Sequence, residues 1–250
     1  MPVLFIGHGS PMNALADNGF TKFLDHLGKE LPLPRAILVI SAHWETAIPR
    51  VSSGDAPRTI HDFRGFPPAL FAIQYPAPGS GALTARVAGL TGAAPDEAWG
   101  LDHGAWAVLG KLFPRADIPV LQLSLGKGLS MGEHYELGTR LKPLREEGVL
   151  ILASGNITHN LSRLNPESEA PPAPWAQAFD ERIATALANH DLPGLTSQIP
   201  EELWQLAHPE LDHYLPLLYA VGAGEDSGPP SFPFEGFHHG TLSMRAVRYG

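Results

Sequence analysis

The chain has 250 residues, and its 17 basic and 26 acidic residues give a net charge of -9 at pH 7. A surface of this sign repels phosphate backbones and anionic lipids, so neither nucleic acid nor a membrane is expected as a partner. Because the chain has no cysteine, disulfides, thiolate metal sites and cysteine nucleophiles are excluded, and any metal must be held by His, Asp or Glu.

Short apolar runs alternate with segments of helical spacing along the chain. The runs predict buried strands over residues 3–6, 36–41, 120–125 and 149–153. The helical spacing predicts helices over residues 20–27, 81–90, 105–113, 134–144, 175–189 and 212–221. This alternation is typical of an α/β domain with a mostly parallel sheet and helices on both faces. Two further segments, 47–52 and 241–248, would add antiparallel strands and make the sheet mixed.

Three of the predicted strands run into polar, histidine-bearing segments. His8 stands between two glycines after the first strand, His43 follows the second, and His159 comes shortly after the fourth. In open α/β sheets, ligands bind at the carboxyl ends of the strands, so these histidines point to one crevice. The segment around His8 also fits a simple turn, in which Ser10 caps a helix and Pro11 takes its first position.

Two more histidines precede or begin predicted helices. His103 follows Asp102, which would be the N-cap of its helix and would leave the histidine incidental. His213 is expected at the start of its helix, because Pro216 is tolerated only in a first turn. The positive end of a helix dipole disfavours a protonated imidazole, and a neutral imidazole is the form that binds metal.

The remaining histidines carry weaker signals. His26, His134 and His190 lie in polar helical surroundings and are expected to be solvated. His238 and His239 are adjacent, so in a strand at most one of them enters a site.

Several of these segments together resemble a known family. In chain order they read GHGSPMNAL, ISAHWE, DFRGFP followed by YPAPG, GLDHGAW, SGNITHNL, HPELDHYLPL and GTLSMRA. They resemble the class III extradiol ring-cleavage dioxygenases, the superfamily of the protocatechuate 4,5-dioxygenase catalytic chain, and within it the 4,5-DOPA dioxygenase extradiol-like branch. The resemblance implies a single three-layer α/β/α domain over residues 1–250, with a mixed, mostly parallel central sheet. It also implies a mononuclear metal site that binds a catechol.

The resemblance also assigns roles to the histidines. It makes His8, His43 and His213 metal ligands, and His159 the acid–base residue, which also ligates zinc when zinc is bound. His103 would line the substrate pocket. In the protocatechuate branch the third ligand is a glutamate, whereas a histidine stands at the matching position here. An all-histidine set is rarer for ferrous oxygenases than two histidines and a carboxylate, and it is familiar for zinc.

The chemistry implied is ring opening of a catechol-type, DOPA-like substrate by O2 at a divalent metal, Fe2+ for ring cleavage or Zn2+ as bound. Trp44 and Phe66 would supply apolar walls, and Arg64 would meet a substrate carboxylate or else be a solvated loop residue. The alternatives are a zinc hydrolase that activates water at the same histidines and a non-catalytic binding protein. No signal-peptide pattern is present, so a cytoplasmic location is expected, and a homo-oligomer is neither favoured nor excluded.

Overall fold

The computed structural model describes residues Met1–Gly250 and contains ten strands and ten α-helices. The strands are β1 (Val3–Gly7), β2 (Ala36–Thr46), β3 (Arg50–Ser52), β4 (Ala94–Asp96), β5 (Val120–Gly126), β6 (Val149–Gly155), β7 (Ser231–Phe234), β8 (Phe237–His238), β9 (Leu242–Ser243) and β10 (Ala246–Tyr249). The helices are α1 (Gly19–Glu30), α2 (Pro68–Phe71), α3 (Gly81–Thr91), α4 (His103–Leu112), α5 (Met131–Arg140), α6 (Pro143–Glu146), α7 (Pro174–Ala188), α8 (Leu192–Thr196), α9 (Glu201–Ala207) and α10 (Leu215–Gly224). None of these helices is both long and apolar enough to cross a lipid bilayer.

Eight strands form one mixed sheet in the order β4-β3-β5-β2-β6-β1-β10-β7. The four central strands β5, β2, β6 and β1 pair in parallel. Antiparallel pairs join β3 to β5, β10 to β1 and β7 to β10, while β8 and β9 form a separate two-stranded sheet. The two additional antiparallel strands predicted over 47–52 and 241–248 are therefore confirmed as β3 and β10, with β9 formed from the second segment as well.

The central strands are buried on both faces, which is why they appear in the sequence as unbroken apolar runs. Val3 and Phe5 of β1 belong to the core on one face, together with buried residues of α3, α5, α7 and α10. Leu4 and Ile6 belong to the core on the other face, under α1 and α4. Helices thus cover both sides of the sheet, and the predicted α/β/α architecture is confirmed.

Three predicted element boundaries are wrong, and two of them, those at His43 and at His213, affect the site. Strand β2 continues to Thr46, so His43 and Trp44 lie within the strand instead of after it. Pro143 opens a new helix, and the predicted helix over 134–144 is divided into α5 and α6. Helix α10 begins at Leu215, so that His213 precedes it and the argument from the helix dipole does not apply. The sequence does not predict the short elements α2, α8, α9, β4, β7 and β8.

His134 is fully buried, contrary to the expectation that it is solvated. It lies on the face of α5 that packs against α10, and its Nδ1 atom is 3.0 Å from the hydroxyl group of Tyr219. Burial lowers the pKa of His134 to about 4. The polar residues next to His134 in the sequence lie on the exposed face of the same helix. The polarity of these neighbours therefore predicts an exposed side chain where the structure has a buried one.

His134 should make the stability of the protein depend on pH. Its pKa is 6.5 when unfolded and about 4 when folded, so between these values the unfolded state binds more protons. The free energy of unfolding is therefore expected to fall as the pH is lowered from about 6.5 to about 4. Urea denaturation of the metal-free His134→Gln protein should show a shallower fall than the wild type. Equal slopes in His134→Gln and in the wild type would contradict this assignment.

Candidate metal centre

The candidate site lies at the carboxyl ends of β1, β6 and β2, which are neighbours in the sheet. The backbone N–H of His8, just after β1, donates to the carbonyl oxygen of Gly155 at the end of β6, at 2.9 Å. The next residue, Asn156, donates its backbone N–H to the carbonyl oxygen of His213 at 2.8 Å. These bonds attach a late segment of the chain to the strand ends. The crevice predicted from the sequence is therefore present.

Small residues allow the histidines to approach one another. Gly9 has a φ of 60°, which turns the chain away directly after His8. A Cβ atom on Gly104 would lie 2.5 Å from Ser41 Oγ, beside the ring of His43. A Cβ atom on Gly155 would collide with the backbone carbonyl of His213. Larger residues at 104 and 155 would thus push the imidazoles apart.

Ser10 and Asp102 both cap the helical turns that the sequence predicts. The side chain of Ser10 accepts from the backbone N–H of Met12, and that of Asp102 accepts from Ala105. Although Asp102 is an N-cap, His103 still belongs to the site, because its ring packs against that of His43.

Five imidazole rings form one contiguous cluster. The ring centroids of His8 and His43 are 5.0 Å apart, and His213 lies 5.2 Å from the first and 4.9 Å from the second. His103 packs against His43 at 3.9 Å. His159 stacks on His213 at 3.4 Å with nearly parallel rings. All the histidines that the sequence analysis assigned to the site are therefore close together.

The nitrogen atoms within this cluster are spaced as metal ligands would be. The Nε2 atoms of His8 and His43 are 3.1 Å apart. Two imidazoles that bind one ion at about 2.0–2.1 Å place their nitrogens roughly 3.0 to 3.4 Å apart. Nitrogen atoms of His8, His43 and His103 all lie within 4.8 Å of one another, so this group could hold a metal ion.

In two of the rings, hydrogen bonds at Nδ1 fix which nitrogen carries the proton. The hydroxyl of Ser154 donates to the carbonyl oxygen of Gly104 at 2.6 Å, so its oxygen accepts from Nδ1–H of His8 at 3.0 Å. Nδ1–H of His213 donates to a carboxylate oxygen of Asp212 at 2.9 Å. In both neutral rings Nε2 is left with a free lone pair, which is the form that a metal requires.

The rings are held in their neutral form. Burial lowers the pKa of His8 and of His213 far below the ordinary value, and the neighbouring rings lower it further. Burial also lowers the pKa of His43, as does His103, against the opposing effect of Asp62. The pKa of His159 falls to about 4, chiefly through burial. The neutrality predicted for His213 is therefore correct, but burial causes it and the helix dipole does not.

A cavity of about 830 Å³ opens above the rings of His43, His103, His159 and His213. Phe63 and Phe66 line one part of it, with ring centroids 5.2 Å apart, and Leu161 and Leu164 line another. Its charged lining residues are the acidic Glu210 and Asp212, and no Lys or Arg lines it. The cavity therefore suits a flat apolar group better than an anionic one.

Two of the three predicted substrate contacts, Trp44 and Arg64, do not line this cavity. Phe66 lines the cavity, but Trp44 does not. Because Trp44 follows His43 within β2, its side chain points to the opposite face of the sheet, where it stacks on Trp99 with the rings 5.4 Å apart. Arg64 is exposed on the loop and is not among the lining residues, so its contact with a substrate carboxylate is not supported.

Several lining residues escaped the sequence analysis. His239 lines the cavity while His238 packs on Phe20, as expected if only one of the adjacent pair enters a site. Glu210 and Asp212 precede the candidate ligand His213 closely in the sequence. Their acidic side chains beside a candidate ligand are the sequence feature that could have indicated that they line the cavity. The turn that contains Leu161 carries no such signal.

The chain is similar to characterised enzymes over its whole length. Residues 3–247 match the family model of the catalytic LigB subunit of aromatic ring-opening dioxygenase. The chain is 45% identical to the 4,5-DOPA dioxygenase extradiol of Escherichia coli (strain K12), over 100% of this chain and 95% of that protein. It is 41% identical to the 4,5-DOPA dioxygenase extradiol of Beta vulgaris, over 98% of this chain and 95% of that protein.

A solved structure is similar as well. The crystal structure of an uncharacterized protein from Escherichia coli K12 matches this fold with a TM-score of 0.86 and 41% sequence identity, over 100% of both chains. Family match, relatives and fold all agree with the resemblance that the sequence motifs indicate. The chain belongs to the LigB family of class III extradiol dioxygenases, and it is an extradiol ring-cleavage dioxygenase.

Proposed function

We propose that the protein opens the ring of a catechol-type, DOPA-like substrate with O2, using a non-haem divalent metal held by histidines. The observation that carries this proposal is the pair of Nε2 atoms of His8 and His43, 3.1 Å apart beneath a cavity with aromatic walls. The names of the relatives, 4,5-DOPA dioxygenase extradiol, support the substrate class. A cavity of about 830 Å³ has room for a substituted catechol, since ligand pockets are typically about 300–1,000 Å³.

The ligands in this proposal are His8, His43 and His213, and the ion is Fe2+ for ring cleavage. When bound, such an ion supplies Lewis acidity toward the two catechol oxygens and a redox-active centre for O2. Three neutral imidazoles keep the full positive charge of the ion, which favours a deprotonated catechol. His8 and His213 meet the requirement directly, since hydrogen bonds at Nδ1 leave Nε2 free.

The other two histidines act on the substrate. His159 lines the cavity, and burial lowers its pKa to about 4, so that its ring is neutral near pH 7 and has a lone pair free. That lone pair would accept a proton from a catechol hydroxyl that the bound ion makes more acidic. His103 also lines the cavity, and its Nδ1–H is engaged by Asp62. Its Nε2 atom is therefore available to accept a hydrogen bond from the substrate. Phe63 and Phe66 cover the flat ring and exclude water.

Oxygen consumption by the metal-free protein after anaerobic loading with Fe2+ tests the proposal. With a catechol, one O2 is expected to disappear per ring opened, with both atoms of 18O2 recovered in the product. The same protein loaded with Zn2+ is the control and should consume no O2. Ester or amide hydrolysis by the zinc form, without O2 uptake by the iron form, would instead favour the zinc hydrolase that uses the same histidines to activate water.

Arg64 is expected to have no part in substrate selection. Because Arg64 lies outside the cavity lining, its guanidinium is not expected to meet a substrate carboxylate, which a comparison of the KM values for catechol and for a carboxylated catechol tests. Arg64→Ala should leave the ratio of the two KM values unchanged within about twofold. If the guanidinium of Arg64 contacts the substrate carboxylate, Arg64→Ala should change that ratio by about tenfold or more. Such a change would show that Arg64 binds the substrate.

A further inference from the structure

The side chain of Asn156 lies where three distant parts of the chain meet, directly after the last residue of β6. It is fully buried. Its Oδ1 atom accepts from the backbone N–H of Gly9 at 3.3 Å, and its Nδ2 atom donates to the carbonyl oxygen of Ser243 at 2.8 Å. We propose that Asn156 is a positioning residue that holds His8 and His213 at the separation which a shared metal ion requires. The inference rests on the proposed function, because these two histidines are ligands in that proposal.

Asn156 bonds to the backbone beside both histidines. Its own N–H donates to the carbonyl oxygen of His213 at 2.8 Å. Its side chain holds Gly9, the residue after His8, while the preceding Gly155 accepts from the N–H of His8 at 2.9 Å. The two imidazole rings that these segments carry have centroids 5.2 Å apart. A displacement of Asn156 would therefore move one ring relative to the other.

The N–H of Gly9 needs a side-chain acceptor because the chain leaves the sheet at this point. Strand β1 ends at Gly7, and Gly9 is buried with a φ of 60°. Its N–H makes no hydrogen bond to a backbone carbonyl. Buried backbone N–H groups are almost always hydrogen-bonded, and here the acceptor is the amide oxygen of Asn156.

The two partners fix the orientation of the amide. Gly9 offers a donor and Ser243 offers an acceptor, so an amide turned over would place NH2 against N–H and oxygen against oxygen. A carboxylate would lack the donor, and a hydrocarbon would lack both groups. The side chain at position 156 therefore has to be an amide to make both contacts.

The Ser243 end of this contact is itself held in place. The hydroxyl of Ser243 donates to Oδ1 of Asp180 at 2.6 Å, and the same carboxylate accepts from Nε of Arg245 at 3.0 Å. All three side chains are buried. Buried polar networks whose members are paired in this way are rigid, so Ser243 gives Asn156 a fixed point of attachment.

Asn156→Leu tests the proposal, because leucine has nearly the same shape and makes neither hydrogen bond. Both histidine segments lose a shared support while every proposed ligand remains. The dissociation constant for Zn2+, measured on metal-free protein against a competing chelator, should rise about 10- to 100-fold, as is usual when a contact that supports a metal ligand is removed. The visible absorption spectrum of the Co2+-loaded variant should also change, since it depends on the number and geometry of the ligands.

Thr158→Val is the matched control, two residues further along the same segment. Thr158 is fully buried, and its hydroxyl accepts from the N–H of Ser243 at 3.0 Å and donates to the carbonyl oxygen of Thr241 at 2.8 Å. Like Asn156→Leu, this change removes one accepted and one donated bond and nearly keeps the shape, but neither bond reaches a histidine segment. Thr158→Val should lose thermal stability and keep the wild-type affinity for Zn2+ and the wild-type Co2+ spectrum.

The wild-type metal-free protein offers a measurement that needs no variant to fold. One side-chain N–H proton of Asn156 is donated to Ser243 in a buried environment, so its NMR signal should show slow exchange with solvent. Rapid exchange of both side-chain N–H protons would mean that the amide is not held, and would overturn the proposal.

An unchanged affinity for Zn2+ in folded Asn156→Leu would also overturn it. Equal losses in Asn156→Leu and Thr158→Val would assign the effect to general destabilisation and reject the positioning role. A wild type that binds no Zn2+ would reject the proposed metal centre and this inference together. Because none of these measurements uses a catechol or O2, a failure of ring cleavage alone contradicts the proposed function and not the role of Asn156.

Discussion

His8→Ala should lose almost all of its bound metal. His8 is fully enclosed at the end of β1, and removing its imidazole reduces three proposed ligands to two. The loss should exceed the 10- to 100-fold that removing the hydrogen-bond partner of a ligand costs. Metal per chain, measured by elemental analysis after dialysis, checks this. His26→Ala on the exposed surface of α1 should keep the wild-type content, and a fully loaded His8→Ala protein would remove His8 from the site.

The same measurement identifies the third ligand. His213 is assigned by the family motif, whereas nitrogen atoms of His103 lie within 4.8 Å of those of His8 and His43. His213→Ala is expected to lose metal as His8→Ala does, and His103→Ala is expected to retain it with impaired catalysis. The reverse order would give the third position to His103. Both rings are buried, so either substitution can destabilise the fold and release metal indirectly. The metal content should therefore be measured under conditions in which both variants are fully folded.

His159→Gln should keep its metal and lose activity by about two to four powers of ten. The ring lies in the cavity wall, and its backbone N–H donates to the carbonyl oxygen of Ala207. Glutamine retains polar contacts but cannot take a proton from a catechol, and losses of this size are usual when a general base is removed. The turnover number of the Fe2+-loaded protein and its iron content should be measured on the same sample.

The outcome for His159→Gln separates three roles. Reduced turnover with unchanged iron makes the residue an acid–base group. Iron and activity lost in proportion would make it a full ligand, consistent with its ring stacked on His213. An unchanged turnover number would exclude both roles.

Much of this fold could be predicted because each strand of the central sheet is covered on both faces. Burial on both faces makes the strand an unbroken apolar run, and the segments 3–6 and 149–153 are recognisable for that reason. The polar residues that follow such runs then mark the ligand-binding edge of the sheet. The positions of His8 and His159 after such runs predict from the sequence alone that both lie at this edge.

Other parts of the site depend on contacts that local sequence does not encode. Asp62 is one aspartate in a Gly- and Pro-rich loop, and only the folded chain brings it to His103, 41 residues later. Trp44 is placed away from the cavity because β2 continues to Thr46, and the alternation of side chains along the strand turns Trp44 away from His43. His134 was misjudged because its exposed neighbours on α5 mask a buried face.

The place of β1 in the sheet determines when the proposed metal centre can be assembled. This strand carries His8 and lies between β6 and β10, the last strand of the chain, while His213 also belongs to the final fifth of the sequence. Chains emerge from the ribosome from the N-terminus onward. His8 and His43 are therefore made early but wait for nearly the whole chain before they meet their partners. A nascent chain that lacks β10 and the segment of His213 does not hold the proposed ligands together, so the proposed site is expected to form only after both have been made.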